Sequence, residues 1–321
     1  MEFFVGTLTR EGGAGVLRCV LRGNEIQLKE RLFLTDPNYL IRVGSRIFCV
    51  SSDAEDPMKG CVNEILPEGK MKRIARQATA GSGPCFLCPS PDGRFLYCAN
   101  YGTGSIAVFP LENGLGPRIQ LLQHAGHGPH PIRQAGPHVH QVLFIPHTQY
   151  LCACDLGTDC IAVYRAEEHT GLLSPHSSVH LHGGPRHLVF SSETQGYVCH
   201  ELSNEVTALH IEDGVLTPAQ TLGTLPEAIP NTAGAIRLSP NGKKLYVSNR
   251  GHGSLAMYDV LSNGSLQARG FLRAGCFPRD FVILEDSRLL LADQRAGIRL
   301  IDPQRRETAF LPHAGAVCVC L

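Results

Sequence analysis

Apolar runs of five or six residues recur along the chain, each bounded by Gly, Pro, Asn or Asp, which is the length and punctuation of strands rather than helices. They come in pairs joined by turns of the Ser-Pro-Asp-Gly or Ser-Pro-Asn-Gly type, where Asp-Gly and Asn-Gly supply the positive φ of tight hairpins. The paired unit is written five times, over residues 83–102, 136–157, 184–204, 234–251 and 277–294. Counting from the turn to the polar residue that closes the second run gives nine positions each time: Pro91 to Asn100, Pro146 to Asp155, Ser192 to Glu201, Pro240 to Asn249 and Leu284 to Asp293. A weaker copy over residues 36–52 places Ser52 nine positions after Val43.

Each pair is followed by two further strand-like runs, as in SIAVFPL and PRIQLLQ, so one repeat holds four strands in about 45–50 residues, the period of a β-propeller blade. Six copies leave both ends unpaired. GAVCVCL at the C-terminus has the first-strand pattern without partners, and FFVGT near the N-terminus resembles a second strand without a first. The pattern predicts an all-β, seven-bladed propeller spanning residues 1–321 as a single domain, its ring closed by the C-terminal strand pairing with the N-terminal strands, which removes exposed edges. In such a ring the first strands line the central channel, and the second strands end near one mouth. Ser52, Asn100, Asp155, Glu201, Asn249 and Asp293 are then expected near the axis, with His138, His140, Arg186, His187, Arg237, Arg279 and Asp280 from the first strands.

Composition sharpens this picture. Lys plus Arg equals Asp plus Glu at 29 each, with no basic run able to track phosphates or anionic lipid, so neither nucleic acid nor membrane is an expected partner. The N-terminal MEFFVGTLTR lacks a signal-peptide pattern, and the thirteen cysteines sit largely inside strand-like runs, where a thiol acts as a small hydrophobe. Cys85 and Cys88 form a CxxC with no second pair at zinc-finger distance. These features predict a cytoplasmic protein, a monomer or weak dimer, without metal or other cofactor.

The stretch GPHPIRQAGPHVHQV, residues 128–142, gathers His130, Arg133, His138 and His140 without apolar periodicity, and is the first candidate for chemistry. His138 and His140, two apart on a strand, would share a face. They suit proton transfer, substrate hydrogen bonding, a buried structural role or metal binding. Arg186, Arg237 and Arg279 at channel positions need anionic partners, either internal carboxylates such as Asp280, Asp293 and Glu201 or a bound phosphate or carboxylate. Arg133 either braces its loop or touches substrate. There is no GxSxG elbow.

These segments, with GSGPCFLCPSPDGRFLYCANYGTGSIAVFPL, DLGTDCIAVY, GPRHLVF, ELSNEVTAL, AIRLSPNGKKLYVSNRGHGSLAMY and PRDF, resemble the seven-bladed lactonase propellers, the group containing bacterial 6-phosphogluconolactonase and fungal carboxymuconate-lactonizing enzyme. The resemblance runs from about residue 80 to 295. It implies a lactone-handling site without a catalytic metal, built from His138, Arg186, Glu201 and Arg237, and hence a lactone hydrolase acting on a small anionic sugar lactone. Substrate contacts are expected from His140, His187, Arg133, Arg279, Asp155, Asn100, Asn249 and Asp293. The sequence departs from its relatives at Phe86, where they carry His, and at Ser51-Ser52, where they carry a polar pair ending in Glu. Lactone formation from a muconate and a non-enzymatic interaction propeller remain as alternatives.

Overall fold

The computed structural model describes residues 1–304 and 306–321. Its strands form seven four-stranded antiparallel sheets. One combines β1 (Glu2–Thr7), β2 (Gly15–Arg22) and β3 (Glu25–Leu32) with the last strand of the chain; the next is β4 (Tyr39–Val43), β5 (Arg46–Ser52), β6 (Gly60–Leu66) and β7 (Lys72–Ala78). Then come β8 (Pro84–Pro89), β9 (Phe95–Asn100), β10 (Ser105–Pro110) and β11 (Gln120–Gln123), followed by β12 (Val139–Phe144), β13 (Tyr150–Asp155), β14 (Cys160–Ala166) and β15 (Leu173–His180). The fifth sheet holds β16 (Pro185–Phe190), β17 (Gln195–His200), β18 (Glu205–Glu212) and β19 (Val215–Gly223). The last two are β20 (Ala233–Leu238), β21 (Lys244–Asn249), β22 (Ser254–Val260) and β23 (Leu266–Arg273), and β24 (Pro278–Ile283), β25 (Leu289–Asp293), β26 (Gly297–Asp302) and β27 (Arg306–Pro312). The final strand, β28 (Ala316–Cys320), pairs with β1 through Phe4↔Cys320, Val5↔Val319 and Gly6↔Cys318. The unpaired ends of the sequence thus complete one sheet together, and the fold is the seven-bladed all-β architecture that the repeat predicts.

Burial explains why the repeat reads as it does. In β8, β9 and β10 almost every residue is buried, whereas β11 alternates half-buried and exposed positions. Strands covered on both faces read as unbroken apolar runs, and an outer strand with one wet face reads with period two. Cys98, Cys152, Cys154, Cys199 and Cys318 fill buried positions of these strands as small apolar groups, and burial pushes the Cys88 thiol up to about 12.

Two compact units divide the chain: one comprises Met1–Asp36, His187–His210 and Thr217–Leu321, the other Pro37–Arg186 and Ile211–Leu216. Within the first, β24 lies against β20 and β28, and Phe3, Leu17, Leu290, Ile298 and Val319 share a core. Within the second, β8 lies against β4 and β12, and Tyr97 and Phe144 meet edge to face with centroids 5.3 Å apart inside a core with Phe86, Val142 and Leu151. Such an aromatic pair contributes about 0.5–1.5 kcal/mol beyond its burial. The Tyr97 hydroxyl, buried with its ring, donates to the Gly171 carbonyl at 2.9 Å, so no polar atom of that residue is stranded.

Candidate functional site

The first strands carry their chemistry on an irregularity. β8, β12, β20 and β24 each break register against the second strand near their start, between Pro84 and Phe86, Val139 and Gln141, Ala233 and Ile236, and Pro278 and Asp280. A bulge inserts a residue and re-aims its side chain. Cys85, His140 and Arg279 stand at these insertions. This corrects the reading of His138 and His140 as two residues on one strand face: His138 precedes β12 and His140 is the inserted residue.

The second strands also differ in register from the sequence count. Asn100, Asp155, His200 and Asn249 each end their strand and pair with the first residue of the third, as Asn100↔Ser105, Asp155↔Cys160, His200↔Glu205 and Asn249↔Ser254. His200 is therefore the counterpart of Asn100, Asp155 and Asn249, and Glu201 stands one residue beyond. Its true counterparts are Tyr101, Leu156 and Arg250.

The strand-ending residues close their own sheets. Asp155, fully buried, accepts from the backbone N–H of His138 at 2.7 Å and of Gly157 at 3.0 Å, while His124 Nδ1 lies 2.8 Å from its other oxygen. Gly157 approaches so closely that a Cβ there would sit 2.0 Å from the Gly136 carbonyl oxygen, leaving room only for glycine. Asn249 binds Thr224 and Ser254; Asp293 accepts from the N–H groups of Cys276 and Phe277 and pairs with Arg299 at 3.1 Å; Asn100 donates to Ser105 at 3.1 Å. All four are fully buried. The structure thus engages Asn100, Asp155, Asn249 and Asp293 in the closure of their own sheets: the two aspartates accept backbone N–H groups, as an orphaned donor at a strand end requires, while the two asparagines donate, Asn249 to the Thr224 carbonyl and Asn100 to the Ser105 hydroxyl.

In the second unit the residue after β9 organises the histidines. The Tyr101 ring stacks on His138 with centroids 4.4 Å apart and planes 12° apart, and meets His140 edge to face at 5.5 Å. His138 Nδ1 lies 2.8 Å from the Tyr101 carbonyl oxygen. A carbonyl only accepts, so Nδ1 carries a proton, and the neutral form of the ring is the tautomer with its lone pair on Nε2. Arg133 Nη2 donates to the Tyr101 hydroxyl at 3.3 Å. Arg186 is 2% exposed at the start of β16, and Phe86, the departure from the family pattern, stacks on Tyr39 at 4.1 Å within the apolar core.

In the first unit Glu201 pairs with Arg250 at 2.8 Å, both buried, and Arg250 also donates to the carbonyls of Thr232 and Ala233. Its guanidinium lies 5.7 Å from the centre of the Phe277 ring. Sequence reasoning missed Arg250 and Tyr101 because both follow the position it counted to. Arg237 donates to Asp280 at 2.5 Å, and the other Asp280 oxygen accepts from Val319 N. Arg279 donates to Gln294, which in turn donates to Glu11. His187 is buried in β16. Among the described residues no group of three or more His, Cys, Asp or Glu is arranged to hold a metal ion.

The sequence matches the lactonase family of seven-bladed β-propellers over residues 2–301, and the chain belongs to that family. An uncharacterised Staphylococcus epidermidis protein is 31% identical over 310 residues, covering 92% of this chain and 89% of the relative; a Staphylococcus aureus protein, also uncharacterised, is 32% identical over 308 residues. Among solved structures, a Bacteroides fragilis protein provisionally named a 6-phosphogluconolactonase superposes with TM-score 0.89 at 28% identity, covering 99% of this chain and 97% of that one. The periplasmic gluconolactonase of Pseudomonas aeruginosa gives TM-score 0.86 at 28% identity, covering 99% and 98%.

Proposed function

We propose that this lactonase-family protein hydrolyses a small sugar lactone bearing an anionic group, 6-phosphogluconolactone being the reference substrate. The observation that carries the reading is the fixed tautomer of His138: its Nδ1 is committed to the Tyr101 carbonyl, so its Nε2 is oriented as a proton acceptor. In this mechanism His138 Nε2 takes a proton from water as the water oxygen attacks the lactone carbonyl. The tetrahedral oxyanion draws on the buried guanidinium of Arg186. Collapse breaks the ring C–O bond, the departing alkoxide receives the proton held on His138, and the product is the open hydroxy acid, with no covalent enzyme intermediate.

Glu201 enters as the counter-charge of Arg250, and Arg237 as the partner of Asp280. Both arginines therefore begin with their charge offset, and His138 takes the role of base. The protein is further taken to work as a monomer or weak dimer in a reducing compartment.

The test is turnover of 6-phosphogluconolactone and of glucono-1,5-lactone measured against their spontaneous hydrolysis, with a carboxymuconate assay beside them. Enzyme-dependent hydrolysis in excess of buffer is expected. Consumption of the muconate with both lactones untouched would replace hydrolysis by cyclisation, and inertness toward all three would sink the reading.

A further inference from the structure

The proposed base, His138, is held through its backbone as well as through its ring. His138 N donates to Asp155 Oδ1 at 2.7 Å, and Gly157 N donates to the same oxygen at 3.0 Å. A Cβ at Gly157 would lie 2.7 Å from His138 N, so the chain enters β12 without slack. The other oxygen of Asp155 is answered from the start of the loop between β11 and β12: His124 Nδ1 stands 2.8 Å from Oδ2, and His124 Nε2 stands 2.9 Å from the Tyr164 hydroxyl in β14. The backbone N–H of His124 is tied to the Gly104 carbonyl at 3.0 Å. Asp155, His124 and Tyr164 form a chain buried from end to end, with the His124 side chain 7% exposed.

An ionised carboxylate only accepts, so His124 Nδ1 carries a proton toward Asp155, while its Nε2 receives the Tyr164 O–H in the neutral ring or donates to that oxygen in the charged one. Burial, with Cys160 and Asp155 nearby, pushes the Tyr164 hydroxyl up to about 12, so the phenol keeps its proton. Sheet closure alone does not call for such a chain. Asp293, in the same place of its own sheet, accepts the N–H groups of Cys276 and Phe277 and is answered by Arg299, and Asn100 and Asn249 turn to the hydroxyls of Ser105 and Ser254. Among these four strand ends, only Asp155 joins the backbone of a candidate base to a ring that is itself hydrogen-bonded on its far side. A ring bonded at both nitrogens is held in one orientation, and such support is what keeps a reacting group within its productive geometry. We propose that His124 is a positioning residue for the base: braced by Tyr164, it fixes the Asp155 carboxylate, and that carboxylate fixes the backbone from which His138 reaches the Tyr101 carbonyl. This rests on the reading of His138 as the base of a lactone hydrolase.

The experiment compares wild type with His124→Phe, which keeps a ring and removes both hydrogen bonds, His124→Asn, whose amide N–H stands where Nδ1–H stood, and Tyr164→Phe. Two readouts are taken from each: kcat and KM on 6-phosphogluconolactone, and the side-chain nitrogen shifts of His138 in protein labelled with nitrogen-15 histidine, assigned by their loss in His138→Gln and recorded at about pH 9, where an ordinary imidazole is neutral. For His124→Phe we expect kcat to fall about tenfold or more with KM little changed, since a displaced base costs the transition state rather than binding, and the Nδ1-protonated signature of His138 to give way to a mixture of tautomers. His124→Asn should restore most of both, and Tyr164→Phe should fall between wild type and His124→Phe. A lower kcat with the His138 signal unmoved marks a merely structural role and overturns the proposal, as do an unchanged kcat in His124→Phe and equal losses in His124→Phe and His124→Asn. If His124→Phe does not fold, Tyr164→Phe decides: movement of both readouts upholds the chain, and either one unmoved rejects it. If wild type hydrolyses no lactone, the hydrolase reading fails by itself and the nitrogen signal decides alone: a shift in His124→Phe that His124→Asn reverses upholds the positioning of His138, and an unshifted signal rejects it.

Discussion

After β9, Tyr101 covers His138 with its ring and fixes its tautomer with its backbone carbonyl; after β21, the residue in the same place is Arg250, buried against the carboxylate of Glu201, which itself follows β17. One position of the repeat therefore builds a ring stack in one region and an ion pair in another. The two arrangements carry different costs. Stacking and a hydrogen bond to a carbonyl need little desolvation, so the nitrogen proposed as the base is held at small expense in stability. A buried ion pair repays its desolvation only while both partners and their hydrogen bonds stay in place. The proposed chemistry thus falls where the repeat builds a ring stack, and fragility where it builds an ion pair.

The largest effect should come from breaking the charged group. Arg250→Met removes the cation 2.8 Å from Glu201 and leaves a buried carboxylate, which should lower the stability read from denaturant unfolding by about 3–5 kcal/mol. The double change Arg250→Met with Glu201→Leu should recover most of that loss, since an apolar pair of similar volume avoids both desolvation costs. A double variant as unstable as the sum of its singles would mean the pair is not a coupled unit.

The seven-fold repeat and the closure by β28 and β1 were legible in the sequence because they rest on turn chemistry and on strands buried on both faces, which leave strong local marks. The register of Glu201 was not. The connection from β16 to β17 spans residues 191–194, one fewer than residues 90–94, 145–149 and 239–243 in other sheets, so counting forward from the turn overshoots by one. Counting back from the third strand would have worked, because residues 101–104, 156–159, 201–204 and 250–253 are all the same length. That count points to Tyr101, Glu201 and Arg250 together. The bulge at His140 and the pairing of Arg237 with Asp280 had no such mark, since both depend on cross-strand geometry between residues far apart in sequence. The lost polar position at Phe86 was visible, but not its stacking on Tyr39 from another sheet.

The stacked group is sharpened by His138→Gln. Glutamine lacks a titratable nitrogen, so turnover of the lactone should fall by about 10²-fold or more, the usual contribution of a general base, while the unfolding midpoint moves little. The same substitution tests the contrast with the charged region directly: an unchanged rate would rule out His138 as the base and leave Glu201 as the candidate, and a large loss of stability would show that His138 is bound into the scaffold as tightly as Arg250.

The smallest effect separates the ring of Tyr101 from its hydroxyl. Tyr101→Phe keeps the face that stacks on His138 and the backbone carbonyl that accepts from Nδ1, and removes only the oxygen that receives Arg133. Hydrolysis of an uncharged lactone and the unfolding midpoint should both stay close to wild type. Tyr101→Leu keeps the carbonyl and removes the ring face, so it should cost about 0.5–1.5 kcal/mol of stability and lower the rate, because the imidazole then turns more freely about its one remaining fixed bond. If Leu behaves as Phe does, the stack contributes nothing and the backbone carbonyl alone orients the base. If Phe is as damaging as Leu, the hydroxyl and its contact with Arg133 matter even for a substrate without a charge, and the stacked region would depend on a cation after all.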